Sequence, residues 1–242
     1  MNNVPRADQT QFYDDWVETE AAAGINDRHR AIAATLHRLG LKGGDRVLEV
    51  GCGVGQLTEL ICHRIGREGE LMGVDLSPRS ISAARQRLHR FSGVTLLAGD
   101  IVEMSLEPQF DVVVLPDVIE HIPLEFHSPL FAKLGGLLSP DGFMLLNYPC
   151  PHYQRWLHVH RPDLLQPVDQ AIDADVLATE AARNGLYLVS LRTYSVWVPE
   201  GDYVSAVLRL VPSNPTYTLG SATPGRMLRN AARRLPFVLR RR

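Results

Sequence analysis

The 242-residue sequence predicts an α/β domain built on one seven-stranded, mostly parallel sheet with helices on both faces. Three observations predict it. Short apolar runs alternate with helical patterns five times along the chain before a β-rich hairpin closes it. The run Phe110-Asp111-Val112-Val113-Val114-Leu115 is continuous rather than alternating, the pattern of a strand covered on both faces. And Val47-Leu48-Glu49-Val50 runs straight into Gly51-Cys52-Gly53-Val54-Gly55, a strand, a glycine turn and the start of a helix.

Each element has its own signal. Residues 10–40 read as helical: Phe12, Tyr13, Trp16 and Val17 fall on one helix face, and a second run, Ala31 to Leu39, stops at Gly40. After the turn Lys42-Gly43-Gly44-Asp45 comes the first strand, Arg46 to Val50, then a helix over 57–66. The second strand, Glu70 to Asp75, ends in an acid 20 residues past Gly55, where a parallel strand returns beside the first. Ser77 ahead of Pro78 caps a helix over 78–91. A third strand, Val94 to Ala98, closes on Gly99-Asp100-Ile101, and the fourth is the apolar run ending at Leu115. A helix over 127–138 and the turn Ser139-Pro140-Asp141-Gly142 lead to a fifth strand, Phe143 to Asn147. Asp173 opens a helix that stops at Asn184-Gly185. Leu186 to Val198 and Asp202 to Val211 then supply strands six and seven, with the last strand antiparallel, and the sheet is Rossmann-like.

Composition sets outer bounds. The hydrophobic fraction of 45% and charged fraction of 21% suit an ordinary globular core. The formal charge of −2 hides an asymmetry: seven arginines and no acid follow Gly220. The charge belongs to the tail and gives no argument for sequence-specific nucleic-acid binding by the fold. Three cysteines form no disulfide framework and no metal-spaced pair. The N-terminus has no apolar leader pattern, and no stretch of eighteen apolar residues is present, so a cytoplasmic location is expected.

The glycine turn says what kind of ligand the corner takes. Glycine allows positive φ and close approach of a ligand to the backbone, and the following helix start presents free N–H groups. A dinucleotide fingerprint needs glycine at 56, where Gln56 stands, and a phosphate loop needs Gly-Lys-Ser/Thr, which is absent. Glu49, two residues before Gly51, suits a ligand carrying cationic groups instead. This E-x-G-x-G-x-G pattern resembles motif I of the class I S-adenosylmethionine-dependent methyltransferases. Val74-Asp75-Leu76-Ser77 resembles the segment of that family whose acid meets the ribose diol. Val118-Ile119-Glu120-His121-Ile122 resembles the segment after strand four in its small-molecule O- and C-methyltransferases. The turn after residue 138 is similar to the family's too, with Asp141 in place of its first glycine.

The resemblance covers residues 45–149 and implies a site. Glu49, Gly51, Cys52, Gly53, Gly55, Asp75, Leu76, Asp100, Ile101, Pro116 and Asp117 become the expected cofactor contacts, Asp100 and Ile101 at the adenine. The cofactor implied is S-adenosylmethionine, with S-adenosylhomocysteine as product and no metal. An acceptor hydroxyl must lose a proton, and His121 is the first candidate base, since imidazole titrates near neutrality. The alternative for His121 is a residue that holds the loop after strand four. His152 and Tyr148 are the other catalytic candidates. His158 and His160 make too small a set for a metal site.

The domain plan is an N-terminal helical cover over 1–40, a cofactor domain over 41–211, and a linker and basic amphipathic tail over 212–242. Residues 148–172, rich in histidine, tyrosine and proline, read as a lid over the strand ends. That composition suits a saccharide or other small hydroxylated acceptor, and the lid's wording is similar to methyltransferases found with bacterial surface-polysaccharide enzymes. The motif that base-methylating enzymes of this fold carry after strand four is replaced by Leu115-Pro116-Asp117-Val118. The tail can lie on an anionic membrane surface, dock on a partner, or bind nucleic acid without sequence preference. A non-catalytic protein of the same fold, assembling through the tail, is the competing expectation.

Overall fold

The computed structural model describes residues 6–107 and 109–213. Helices α1 (Arg6–Ala23) and α2 (Asp27–Leu39) come first. The second is closed by its own sequence: the Asn26 side chain accepts the His29 N–H, the His29 ring accepts the Asn26 N–H, and Gly40 ends the helix at φ 107°. The sheet follows with β1 (Arg46–Val50), β2 (Glu70–Asp75), β3 (Val94–Ala98), β4 (Phe110–Pro116), β5 (Leu138–Pro149), β6 (Leu186–Tyr194) and β7 (Tyr203–Leu210). Between them run α3 (Gln56–Ile65), α4 (Pro78–Leu88), α5 (His127–Leu137), α6 (Pro151–His160) and α7 (Ala174–Arg183).

The strand order is β3-β2-β1-β4-β5-β7-β6. Neighbours from β3 to β5 pair in parallel, while β7 runs antiparallel to both β5 and β6. The unbroken apolar run of β4 now has its reason. Val113 and Leu115 pack with Leu130, Phe131 and Leu134 of α5, while Val112 and Val114 pack with residues of α2 and α3 such as Ile32, Leu36 and Ile61. A single fully buried aliphatic side chain contributes about 1.5–3 kcal/mol, so a polar residue at any of positions 112–115 forfeits that contribution.

Order also fixes where a ligand can go. From β1 the chain moves outward through β2 and β3, then crosses back to place β4 on the other side of β1. Strand order reverses there, and a crevice opens beyond the carboxyl ends of β1 and β4.

Several elements differ from those the sequence predicts. Strand β5 begins at Leu138 rather than Phe143, because Leu138 pairs with Phe110 and a register irregularity in β4 absorbs the turn. Helix α4 stops at Leu88, where the Phe91 N–H turns back to the Leu88 carbonyl and Gly93 adopts φ 77°. Strand β6 stops at Tyr194, since the Asp202 carboxylate captures the N–H groups of Val196 and Trp197. Within the expected lid, Pro151 occupies the first turn of a regular helix, α6.

Residues up to Val211 form one unit. The basic tail lies outside the described residues, which end at 213. Among the described residues, no helix is long and apolar enough to cross a membrane.

Candidate active site

The glycine corner is anchored to β2. The N–H groups of Gly51 and Cys52 donate to the Val74 carbonyl at 2.7 and 3.1 Å, and Gly53 N–H donates to Asp75 Oδ2 at 2.8 Å. All three glycines hold positive φ: 75°, 51° and 84°. They differ in what they leave room for. A Cβ on Gly51 would strike the Val118 side chain, and one on Gly53 would strike the Glu20 carboxyl, each closer than 3 Å. A Cβ on Gly55 would press on Leu88 at 3.1 Å and Ala84 at 3.3 Å. Gly55 serves the packing of α3 on α4, whereas Gly51 and Gly53 open onto the crevice.

That crevice is a cavity of about 560 Å³. Its lining brings together Glu49, Gly51, Cys52, Gly53, Asp75, Leu76, Asp100, Ile101, Pro116, Asp117 and His121, from the ends of β1 to β4. Gly55 is not among the lining residues. Nor are two of the catalytic candidates: the Tyr148 side chain is buried in the core between β5 and α5, and His152 projects from α6 into solvent. His158 and His160 are engaged with main-chain carbonyls, of Asp169 at 2.7 Å and Trp156 at 3.0 Å. Of the expected lid, Gln166 reaches the cavity wall, its Oε1 buried without a hydrogen-bond partner.

The N-terminal helices complete the wall. Tyr13, Trp16 and Glu20 of α1 and Arg28 of α2 all line the cavity. Helix α1 is held by Asp14, which accepts from the Ser77 hydroxyl and the Arg79 N–H at the start of α4, and by Gln56, whose side chain donates to the Glu20 carbonyl. Ser77 is meanwhile the cap of α4, its hydroxyl accepting the Ser80 N–H at 2.9 Å.

Carboxyl groups outnumber basic groups at the site. Five carboxyls, of Glu20, Glu49, Asp75, Asp100 and Asp117, face a cavity in which Arg28 is the one lysine or arginine among the lining residues. Glu49 is fully buried beside the Thr58 hydroxyl, yet no well-formed hydrogen bond reaches either oxygen. Burial, reinforced by Asp75 and Glu20, pushes its carboxyl up to about 8. The Glu20 carboxyl is pushed up to about 7, by burial first and Asp75 second. Asp75 is also raised by burial, although Ser77 and Gly53 N–H groups hold one oxygen each.

Asp117 ends β4 in a strained backbone conformation, with φ 54°; among the described residues it is the one non-glycine at positive φ. Its N–H donates to the Asn147 carbonyl at 2.7 Å, its Oδ2 pairs with Arg28 at 2.7 Å, and Asn147 Nδ2 donates to its Oδ1 at 3.3 Å. Tyr194 donates to Asn147 Oδ1 at 2.5 Å, and Tyr203 interacts with Arg28, extending this polar chain to β6 and β7.

His121 follows on a short 3₁₀ turn, Ile119–His121. Its Nδ1 lies 2.7 Å from the Val168 carbonyl oxygen, and its Nε2 lies 3.8 Å from Glu120 Oε1. Edge contact with the Tyr13 ring, at 6.5 Å between centroids, covers the imidazole. Burial pushes the Glu120 carboxyl well above the carboxylate range, with the Asp117 charge adding to the effect.

Glu20 and Arg28, which enter from α1 and α2, carry no local sequence signal, and Gln166 is marked only as part of the lid expected over 148–172. A signal is present for Tyr13 and Trp16, on the aromatic face of α1.

A family described as a methyltransferase domain matches residues 47–142. Trans-aconitate 2-methyltransferase of Methylobacterium nodulans is 31% identical over 135 residues, 56% of this chain and 50% of the relative. Malonyl-[acyl-carrier protein] O-methyltransferase of Priestia megaterium is 38% identical over 101 residues, 42% of this chain and 35% of the relative. The chain thus spans about half the length, or less, of these curated relatives. The N-methyltransferase NodS of Bradyrhizobium japonicum, solved with S-adenosylhomocysteine, superposes with a TM-score of 0.61 at 23% identity, covering 76% of this chain and 88% of that one. The last likeness is one of fold.

Proposed function

We infer that this chain, whose residues 47–142 are a methyltransferase domain of the class I S-adenosylmethionine-dependent family, transfers a methyl group from S-adenosylmethionine to a hydroxyl of a small acceptor, with a saccharide as the preferred class. The observation that carries the cofactor reading is the excess of carboxyls over Arg28 around a cavity floored by two open glycines. Such a wall favours a cation. S-adenosylmethionine brings a sulfonium and an ammonium, and it supplies an electrophilic methyl group when bound. Glu49, Gly51, Gly53, Asp75, Asp100 and Asp117 are the residues proposed to hold it.

The chain's own contribution is positioning and proton removal. Placing two reactants in line can account for about 7–11 kcal/mol of a barrier. The ring of His121 is fixed by the Val168 carbonyl, which only a protonated Nδ1 can satisfy, so Nε2 carries the lone pair. That nitrogen takes the acceptor's hydroxyl proton, a step contributing about 10²–10⁴ in rate. Gln166 Oε1, buried without a partner, is ready to accept from a second hydroxyl of the acceptor, while Tyr13 and Trp16 line the same cavity. An acceptor with several hydroxyls uses both groups, and this supports the saccharide class. The arginine-rich tail is proposed as a contact for an anionic surface, tested by sedimentation with anionic vesicles with and without residues 221–242.

The test is release of S-adenosylhomocysteine from the full chain with a panel of saccharide, phenol, carboxylic acid and amine acceptors. Turnover confined to the saccharides supports the whole reading. Turnover with another class overturns the acceptor assignment alone, and failure to bind S-adenosylmethionine overturns the cofactor assignment.

A further inference from the structure

Helix α1 brings one carboxyl into the heart of the glycine turn. The Glu20 carboxyl fills the space above Gly53 that a side chain there would need, and it accepts the Val54 N–H. Glu49 comes from β1 below and Asp75 from β2 beside it, so three elements each aim an acid at the same place. Two guanidiniums face the cluster from further off, Arg28 of α2 and Arg87 of α4, but Arg28 is paired with Asp117 and Arg87 with Glu59. Three converging carboxyls without a dedicated cation repel one another, and such repulsion is relieved by protonation or by a bound positive charge. Burial with Asp75 already favours the protonated form of Glu20 in the free chain.

Glu20 differs from its two neighbours in being carried by a cover. Glu49 and Asp75 sit on strands within the sheet, whereas Glu20 is carried by α1, a helix held to the rest of the fold by side-chain contacts: Asp14 with Ser77 and Arg79 at the start of α4, the Glu20 carbonyl with Gln56 of α3, and Tyr13 against His121. A positive ligand charge at the glycine turn therefore attracts the Glu20 carboxyl and, through it, α1. Loss of the sulfonium charge weakens the attraction.

We propose that Glu20 couples closure of α1 to the sulfonium charge of the methyl donor, so that the chain holds S-adenosylmethionine more tightly than its product, which keeps the ammonium but has a neutral thioether sulfur. This rests on the cofactor reading given above. Glu20 then acts as a specificity-determining residue: the cover is secured while the sulfonium is intact, and transfer of the methyl group weakens its hold.

The test is calorimetric titration of the full chain with S-adenosylmethionine and with S-adenosylhomocysteine, in parallel with amide hydrogen exchange over α1. The wild-type chain is expected to prefer S-adenosylmethionine and to protect α1 more with it. Glu20→Gln, which keeps size and hydrogen-bonding capacity, is expected to narrow the ratio of affinities at least fivefold and to equalise protection of α1. Glu20→Asp, which keeps the charge, retains a preference, and Glu18→Gln, at an exposed position on the same helix, stays within twofold of the wild type. An unchanged ratio in Glu20→Gln, or equal α1 protection by both ligands in the wild type, overturns the proposal. Absence of binding by either ligand to the wild type overturns the cofactor reading itself, and this proposal with it.

Discussion

The Nδ1 of His121 sits 2.7 Å from the carbonyl oxygen of Val168, which places the ring's proton on that nitrogen and leaves Nε2 as the basic one. The contact, together with the Gln170 N–H on the Glu120 carbonyl and the Gln170 side chain on the Ile122 carbonyl, ties the loop after β4 to the segment returning from α6 that carries Gln166 to the cavity. Replacing His121 by Ala is expected to slow turnover at least tenfold while the dissociation constant for S-adenosylmethionine stays within threefold. Steady-state rates together with calorimetry check it, and unchanged turnover removes His121 from the proton transfer.

Glu49 predicts how stability follows pH. Its folded-state carboxyl is pushed up to about 8, and that of Glu20 to about 7, so between about pH 4.5 and 8 the native chain binds more protons than the unfolded one. Stability of the ligand-free protein therefore falls as pH rises through this window. Glu49→Gln is expected to flatten the slope and raise the melting temperature at pH 8, where about 1 kcal/mol corresponds to about 2–4 °C. Thermal unfolding at a series of pH values reads both.

The same two carboxyls link binding to protons. A cationic ligand favours their ionised forms, so its binding releases protons and its affinity rises with pH between about 6 and 8. Titration calorimetry in two buffers of different ionisation enthalpy is expected to show net proton release with S-adenosylmethionine, and less with S-adenosylhomocysteine. Proton uptake would contradict the assignment.

The parts of this site that were legible from the sequence are those written in local patterns. Gly51 and Gly53 announce themselves because a turn with positive φ demands glycine, and Asp75, Asp100 and Asp117 because strand ends converge in an α/β sheet. Ser77 with Pro78 fixes α4 for the same reason. Glu20 and Arg28 had no such mark. They reach the cavity only because α1 and α2 fold back over it, a tertiary fact with no local period. Tyr148 and His152 fail differently: their neighbourhood was right, but strand alternation sends Tyr148 into the core, and the start of α6 at Pro151 turns His152 outward. The strain at Asp117 was equally silent, since aspartate fits many turns.

Two glycines in one turn are expected to separate binding from stability. Gly53→Ala puts a methyl group against the Glu20 carboxyl and into the cavity, so binding of S-adenosylmethionine should fall at least tenfold. Gly55→Ala meets Leu88 and Ala84 instead, at a φ of 84° that costs an L-residue about 1–2 kcal/mol. Its effect should appear in chemical unfolding, with affinity of the folded protein within threefold. Equal loss of binding in both variants would show that Gly55 also contacts the ligand.

Asp117 and Arg28 supply a sharper test, because the pair combines strain, charge and burial in two side chains. Asparagine tolerates positive φ nearly as well as aspartate, so Asp117→Asn keeps the backbone conformation and removes only the charge. What it leaves behind is the Arg28 guanidinium without its counter-ion. Breaking a fully buried pair costs about 3–5 kcal/mol; Arg28 keeps 25% of its side-chain exposure, so water offsets part of the loss and about 2 kcal/mol is expected. Arg28→Met alone leaves the Asp117 carboxyl buried without its counter-ion, further favouring the protonated form that burial already favours, with Asn147 Nδ2 still beside it, and should cost a similar amount. The double variant has no stranded charge, and its destabilisation should be smaller than the sum of the two by at least 1 kcal/mol. Urea unfolding of the four proteins closes the cycle. Simple additivity would mean that Arg28 and Asp117 are each held by other groups and that the strain at residue 117 is not maintained by their pairing.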